Sequence, residues 1–300
     1  MDVSIIIVSW NTSALLCQCL ESLYKTGSRY SFEVIVVDNG SSDDSVSLVE
    51  KKFPDVILIQ NEHNVGFASA NNQGMAIGKG RYFLLLNSDT IVLPGAIDCL
   101  IELADDNPNV GMVGPKLLNM DGSLQVSWAN FPSILSEMLG GAFKTRKPVV
   151  HVPNAFEVDW LMGACMLVRS EVIQDVGKMD EDYFFYSEET DWCFRIKKKA
   201  WKIWLTTNGE IYHLGGGSAK RGTTIQLVRL YHAKILYFKK NHGNLSSILL
   251  RYGLALANTF GIIRRLIFLD WRRRDASFER ISNQSKLVWY LLKNHYPNIR

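Results

Sequence analysis

Hydrophobic positions in the first ninety residues arrive in short unbroken runs divided by polar turns. Val3–Ser9 and Phe32–Val37 are β-branched and apolar almost throughout, the pattern of parallel strands buried on both faces. Between them Ala14–Tyr24 keeps its apolar residues at helical spacing, behind the capping candidates Thr12 and Ser13. The alternation continues with a helix over about Asp44–Phe53, a strand at Val56–Gln60, a helix at Ala68–Ile77 and the strong strand Tyr82–Leu86. Strand and helix in turn predict a doubly wound α/β sheet. Such sheets bind ligands beyond the carboxyl ends of their strands. Those ends read Ser9-Trp10-Asn11, Asp38-Asn39-Gly40, Asn61 to Gly66 and Asn87-Ser88-Asp89, and all four are polar.

Beyond Pro94 a helix is expected to about Asp106, then short strands near Met112-Val113 and Leu117-Leu118 and a turn at Asp121-Gly122. Phe131 to Pro153 shows weak periodicity and is read as a loop. Order returns at Trp160–Val168, followed by a helix over Thr190–Ala200 and a strand at Ile203–Leu205. From about Thr223 the chain turns helical, aromatic and basic. The expected organisation is a catalytic domain over 1–222, with a nucleotide-binding half to about 115 and an acceptor half from about 116, and a helical segment over 223–300.

Composition narrows the classes. The 300 residues are 47% hydrophobic, enough for one large α/β domain with an appendage. A net charge of +3 with no long basic run in the first two thirds argues against a nucleic-acid partner. Five cysteines without CxxC spacing suggest neither a zinc site nor a closed disulfide set, and point to a reducing cytosol. The strand-length run Ile5-Ile6-Ile7-Val8 has no basic region before it and is too short for a secretory signal, so a cytoplasmic protein is expected.

Chemistry is concentrated at the strand ends. Asp38 ends a buried strand before small turn residues, where a carboxylate accepts the imide N–H of uracil or thymine. Asp43 has two readings, a helix cap or a ligand contact. Asn64-Val65-Gly66 opens a helix that carries Asn71 in its first turns, and a helix N-terminus suits a diphosphate. With Ser9, Asn11, Asn39 and Ser88 these form the candidate nucleotide set. Asp89, at the mouth of the sheet, is the first-choice ligand for a hard cation held partly by substrate phosphates. Gly163-Ala164-Cys165-Met166 is either a surface for a sugar ring or a packed core strand. Glu188, Glu189 and Asp191 open a helix after the candidate N-cap Ser187, a favourable place for acids with or without chemistry.

Together, Val8-Ser9-Trp10-Asn11, Val36 to Asp43, Asn64-Val65-Gly66-Phe67, Ala70 to Gly74 and Leu85 to Asp89 resemble the family 2 glycosyltransferases of the GT-A fold, especially their bacterial rhamnosyltransferase-like branch. The resemblance implies a Rossmann-like mixed sheet that binds nucleotide-diphospho-sugars. It implies that Asp38 contacts the base and that Asp89, last of a DxD-type triplet opening here with Asn87, binds Mg²⁺ or Mn²⁺. The acidic helix start resembles the family's ED element. Glu189 takes the position of the usual catalytic base, with Asp191 and Glu188 as further candidates. His213 matches the family's histidine and is expected as another metal contact; the glycines after it lack the strand-to-helix setting of a dinucleotide fingerprint.

The expected reaction is therefore inverting transfer from a dTDP- or UDP-sugar, with dTDP-rhamnose favoured by that branch. The acceptor is expected to be a lipid-linked or surface glycan at the inner face of the cell membrane. Ser246–Leu269 is apolar and aromatic but interrupted by Arg251, Arg264 and Arg265, and its uninterrupted stretch Tyr252–Ile263 is too short to span a bilayer. An interfacial helix on an anionic membrane, or packing against the domain or a second subunit, are the two readings. Two other activities fit a nucleotide-binding sheet. A sugar-1-phosphate nucleotidyltransferase needs a basic Gly-rich loop after the first strand, which Ser9 to Ser13 is not. A silent carbohydrate-binding scaffold has no need of both Asp89 and the acids around Glu189.

Overall fold

The computed structural model describes residues 1–138, 154–215, 223–267 and 274–293. The elements follow in the order β1 (Val3–Ser9), α1 (Ser13–Thr26), β2 (Phe32–Asp38), α2 (Ser45–Lys52), β3 (Ile57–Gln60), α3 (Phe67–Ile77), β4 (Tyr82–Asn87), β5 (Thr90–Val92) and α4 (Ala96–Asp106). Then come β6 (Val110–Leu118), β7 (Leu124–Gln125), β8 (Trp128–Ala129), α5 (Ile134–Met138), β9 (Ala155–Glu157), β10 (Trp160–Leu161), β11 (Cys165–Arg169) and α6 (Ser170–Val176). The last are α7 (Glu188–Lys198), β12 (Lys202–His213), α8 (Thr224–Ile267) and α9 (Arg274–Lys293).

One mixed sheet runs β3-β2-β1-β4-β11-β6-β12-β5, with β7 on β6 and β9 on β12. Its first four strands are mutually parallel, and β11 lies antiparallel between β4 and β6. The chain winds from β1 outward through β2 to β3, then returns to place β4 on the other side of β1. That reversal makes a topological switch point where Ser9 and Asn87 end adjacent strands.

Alternate strand residues face opposite sides, and both sides are filled. Ile5, Ile7, Val36, Leu84 and Leu86 pack with Leu16 and Leu20 of α1 and Leu100 and Ile101 of α4. Ile6, Ile35, Val37, Leu85 and Met166 pack with Ala68 and Ala70 of α3 and Trp192 and Ile196 of α7. Each fully buried Leu or Ile contributes about 1.5 to 3 kcal/mol. Helix α3 lies close on β1: a Cβ on Gly74 would stand 2.6 Å from Ile6 Cγ2.

Several elements differ from the reading of the sequence. The two short strands expected near Met112 and Leu117 are one continuous strand, β6, whose Pro115 lies between the stretches that β12 pairs. The expected strand Ile203–Leu205 extends to His213 across a register shift between Leu205 and Glu210, where polar residues mask the periodicity. Strand β5 and helix α6 were not expected at all. Within the expected loop, Ile134–Met138 forms α5. Residues 139–153, like most of the glycine segment after His213 (216–222), lie outside the described residues.

The chain divides into two compact units, the first being Met1–Phe131, Thr145–Phe184 and Glu188–Ala219. The second comprises Pro132–Lys144, Phe185–Ser187 and Lys220–Arg300. Within the second, Glu137 of α5 pairs with Lys234 of α8 at 2.6 Å, and Thr224 Oγ1 donates to Asn283 of α9. Helix α8 is interrupted at Gly243, whose φ of 87° is left-handed. Its last part buries Ser247, Leu250, Leu254 and Asn258, and exposes Leu245, Leu249, Leu256, Phe260, Ile263 and Ile267. Among the described residues α8 is the one helix long and apolar enough, by length and composition, to cross a membrane. It is longer than the uninterrupted stretch Tyr252–Ile263, because the helix continues through Arg251 and does not stop at it.

Candidate active site

The ends of β1, β2 and β4 meet at the switch point through hydrogen bonds between their loops. Asn39 N–H donates to Ser9 O at 2.8 Å, and the hydroxyls of Ser9, Thr12 and Ser88 form a chain with steps of 3.0 and 3.1 Å. Asn11, with φ 54°, accepts the Ser42 amide through its side chain while its own N–H donates to Ser41 Oγ. Asn39 is 2% exposed and organises the next loop: its Nδ2 donates to Asn64 Oδ1 and Gly66 O, and its Oδ1 accepts the Val65 amide. Gly66 must be glycine, since its φ is 94° and a Cβ would lie 2.7 Å from Phe184 O. Asn71 turns inward and donates to Phe67 O one turn back.

Asp38 is 3% exposed, accepts the Ser41 amide on Oδ2 at 2.9 Å, and has no hydrogen-bond partner on its buried Oδ1. An orphaned buried acceptor fits a donor supplied by a ligand. Asp43 makes the capping bonds that one of its two readings expects. Its Oδ2 accepts the Ser13 amide opening α1, and its Oδ1 accepts the Ser45 amide and hydroxyl opening α2. That explains why Thr12, at the N-cap of α1, makes no capping bond of its own: its hydroxyl belongs to the Ser9–Ser88 chain.

Asp89 follows β4 and directly precedes β5. Because β5 pairs antiparallel with β12, Thr90 lies opposite His213, and Leu214 N–H donates to Asp89 O at 3.0 Å. The two side chains thereby meet, Asp89 Oδ1 standing 3.3 Å from His213 Nε2, both about one-tenth exposed. Neighbouring ligands of an octahedral divalent ion with bonds of about 2.1 Å are separated by about 3 Å, so the pair fits such an ion. No group of three or more His, Cys, Asp or Glu side chains suited to a metal occurs among the described residues. Diphosphate and water oxygens would have to complete the shell. Asn87 ends β4 beside this pair and donates its backbone N–H to Ala164 O at 2.9 Å.

That last bond ties the end of β4 to the Gly163-Ala164 turn. A Cβ on Gly163 would lie 3.8 Å from Glu189 Cβ, so the Gly163-Ala164 turn stands between Asn87 and the start of α7. Burial pushes the Glu189 carboxyl up to about 7. Glu188 is raised well above the carboxylate range by burial and then by the charge of Glu189, and its Oε2 has no hydrogen-bond partner. Tyr186 and Ser187 precede them with φ of 77° and 66°. Ser187 is thus outside the extended region of an ordinary N-cap. Asp191 faces another way: its Oδ2 accepts Arg195 Nε at 2.8 Å, and the same guanidinium donates to Val176 O and Lys178 O.

No motif or spacing marks Gln125, whose side chain meets His213 Nδ1 at 2.6 Å. Only the register of β7 on β6 brings the two together. Thr12, read as a cap, is likewise part of the switch-point hydroxyl chain.

Residues 4–176 match the family described as Glycosyl transferase family 2. The N-acetylglucosaminyl-diphospho-decaprenol L-rhamnosyltransferase of Mycobacterium tuberculosis is 28% identical over 230 residues, 70% of this chain and 75% of the relative. The poly(ribitol-phosphate) beta-glucosyltransferase of Bacillus spizizenii is 34% identical over 219 residues, 71% of this chain and 32% of the relative. Among solved structures, a mannosyltransferase of Pyrobaculum calidifontis in complex with GDP-mannose and Mn²⁺ is similar with a TM-score of 0.59 at 15% identity, over 98% of this chain and 88% of that one. This last likeness concerns the fold, whose mixed, mostly parallel sheet is the GT-A arrangement. With more than half of its length matched, the chain belongs to glycosyl transferase family 2 and is a glycosyltransferase.

Proposed function

We propose that the protein transfers a deoxyhexose, with dTDP-rhamnose the favoured donor, to a lipid-linked glycan by a metal-dependent, inverting displacement. The observation that carries this reading is the Glu189 carboxyl, raised to about 7, beside the Gly163-Ala164 turn whose Ala164 carbonyl accepts the amide of Asn87, two residues before Asp89. Asp38 receives the base N–H, and the switch-point loops hold the rest of the nucleotide. As the acceptor oxygen forms its bond to the anomeric carbon, Glu189 takes the hydroxyl proton. The bond from that carbon to the diphosphate oxygen breaks on the opposite face, and its electron pair leaves with the nucleoside diphosphate. A divalent cation held by Asp89 and His213, with Asn87 nearby, would neutralise the charge of that leaving group. Donor choice is supported by the rhamnosyltransferase relative.

Helix α8 supports a lipid-linked acceptor. Residues 224–300 carry fourteen Lys and Arg against three acidic residues, and 224–267 carry no acidic residue. One face of its last part is buried and the other presents leucines, isoleucines and Phe260. A one-sided apolar face with basic residues favours lying in the interface of an anionic bilayer over crossing it. The enzyme would then work at the cytoplasmic face of the membrane, where its acceptor is anchored.

The test is to incubate the purified protein and Mn²⁺ with dTDP-rhamnose, UDP-glucose or GDP-mannose and a polyprenyl-diphosphate-linked N-acetylglucosamine, and to assign the product's anomeric proton by NMR. Transfer from dTDP-rhamnose with inverted configuration is expected. Retained configuration overturns the mechanism, and transfer from another donor only overturns the donor.

A further inference from the structure

Gln125 is clamped from both ends of its amide. Its nitrogen donates to Asn119 Oδ1 at 2.9 Å and to the His213 carbonyl at 3.2 Å. Asn119 is itself held, its backbone and side chain both bonded to Ser123 across the β6–β7 turn. A main-chain carbonyl can only accept, so the group facing it must be the NH₂ of Gln125. The amide oxygen therefore faces His213 Nδ1, 2.6 Å away. That oxygen also only accepts, so Nδ1 must carry a proton.

A neutral imidazole protonated at Nδ1 has its free electron pair on Nε2. In this structure Nε2 is the atom 3.3 Å from Asp89 Oδ1. A lone pair and a carboxylate oxygen do not bond to one another. In the neutral ring they form two electron-pair donors aimed at one place, the arrangement that a divalent cation completes; an imidazolium would instead donate Nε2–H to Asp89.

We propose that Gln125 is a positioning residue: by accepting the Nδ1 proton it fixes the ring orientation and tautomer of His213, presents Nε2 to the cation and so sets cation affinity. The inference rests on the metal reading above. A carboxylate or carbonyl behind a ligating histidine acts in this manner, and its loss weakens metal binding about 10- to 100-fold. Here a glutamine does so without adding negative charge, and its second contact, to the carbonyl of His213 itself, ties ring orientation to the strand end.

Two measurements test it. Mn²⁺ affinity in the presence of UDP is measured by calorimetry for the wild type, Gln125→Ala, Gln125→Glu and His213→Ala. In parallel, ¹⁵N NMR of the histidine rings is recorded on metal-free protein in mildly alkaline buffer, with His213→Ala supplying the assignment. Gln125→Ala is expected to bind Mn²⁺ about 10- to 100-fold more weakly. Gln125→Glu, which keeps an acceptor facing Nδ1, is expected to recover most of that loss. The wild-type ring is expected to carry its proton on Nδ1. Unchanged Mn²⁺ affinity in Gln125→Ala, or a wild-type ring protonated on Nε2, overturns the proposal. If the wild type binds no Mn²⁺, the metal reading fails separately, and the ring spectrum still decides the tautomer. Should Gln125→Ala not fold, Gln125→Glu and the wild-type spectrum decide.

Discussion

Asp38 accepts the Ser41 amide on one carboxylate oxygen at 2.9 Å and leaves the other buried and unpaired. An unpaired buried acceptor costs about 1 to 3 kcal/mol, which a donor from a bound base offsets. Asp38→Asn presents an NH₂ where the base N–H must arrive. Binding of UDP and dTDP, measured by calorimetry, is expected to weaken by about tenfold or more while thermal stability is maintained. Unaltered affinity contradicts a base contact at Asp38.

Glu189 links rate to pH. A base must be ionised, so kcat/KM is expected to rise with pH and level off above about 7. Glu189→Gln is expected to lower kcat by about 10² to 10⁴. Stability changes in the opposite sense. The raised carboxyl favours its protonated form in the fold, so its contribution is intact below the ordinary carboxylate range and is lost as pH rises toward 7. Glu189→Gln should therefore be more stable than the wild type above pH 7, by about 3 kcal/mol, and match it in acid. Calorimetric scans at both pH values check this, and a variant no more stable at high pH contradicts the burial argument.

The Asp191–Arg195 pair makes a prediction about stability. The Asp191 side chain is 2% exposed, and replacing Arg195 removes the cation paired with it while the Tyr183 hydroxyl, 3.4 Å from Oδ1, remains. Arg195→Met is expected to destabilise by about 3 kcal/mol in a urea titration. Asp191→Asn, which keeps a hydrogen-bond acceptor, should lose less and retain transfer at low temperature. Loss of transfer in a well-folded Asp191→Asn would return Asp191 to the candidate bases.

Much of the sheet was legible because β1, β2 and β4 are buried on both faces and so read as unbroken apolar runs, with their polar ends marking the switch point. Short elements were not. Strand β5 has three residues and β7 two, too few for any periodicity, yet β5 holds Asp89 against His213 and β7 delivers Gln125. Asp43 was legible as the cap of α2, but the acceptor that opens α1 was not, since it is the same Asp43, from the loop before another helix. Asp191 looked like the acids beside it in sequence, but helix geometry turned it to Arg195, one turn onward.

The exposed face of α8 is expected to bind anionic vesicles in co-sedimentation, with affinity falling as salt rises. Leu256→Glu with Phe260→Glu should abolish that binding without altering the melting temperature, because both residues are more than two-thirds exposed. Vesicle binding that survives the double substitution contradicts an interfacial role for this face, and a change of mass in light scattering would assign it to a second copy.

The central claim is metal-dependent cleavage of a nucleotide-sugar at the Asp89–His213 site. The most direct measurement is release of nucleoside diphosphate from dTDP-rhamnose or a UDP-sugar by the wild type and by Asp89→Ala, with Mn²⁺ and after chelation. Release by the wild type with Mn²⁺ alone, and by neither protein after chelation, is the predicted result. Equal release by chelated wild type, or by Asp89→Ala, would contradict it.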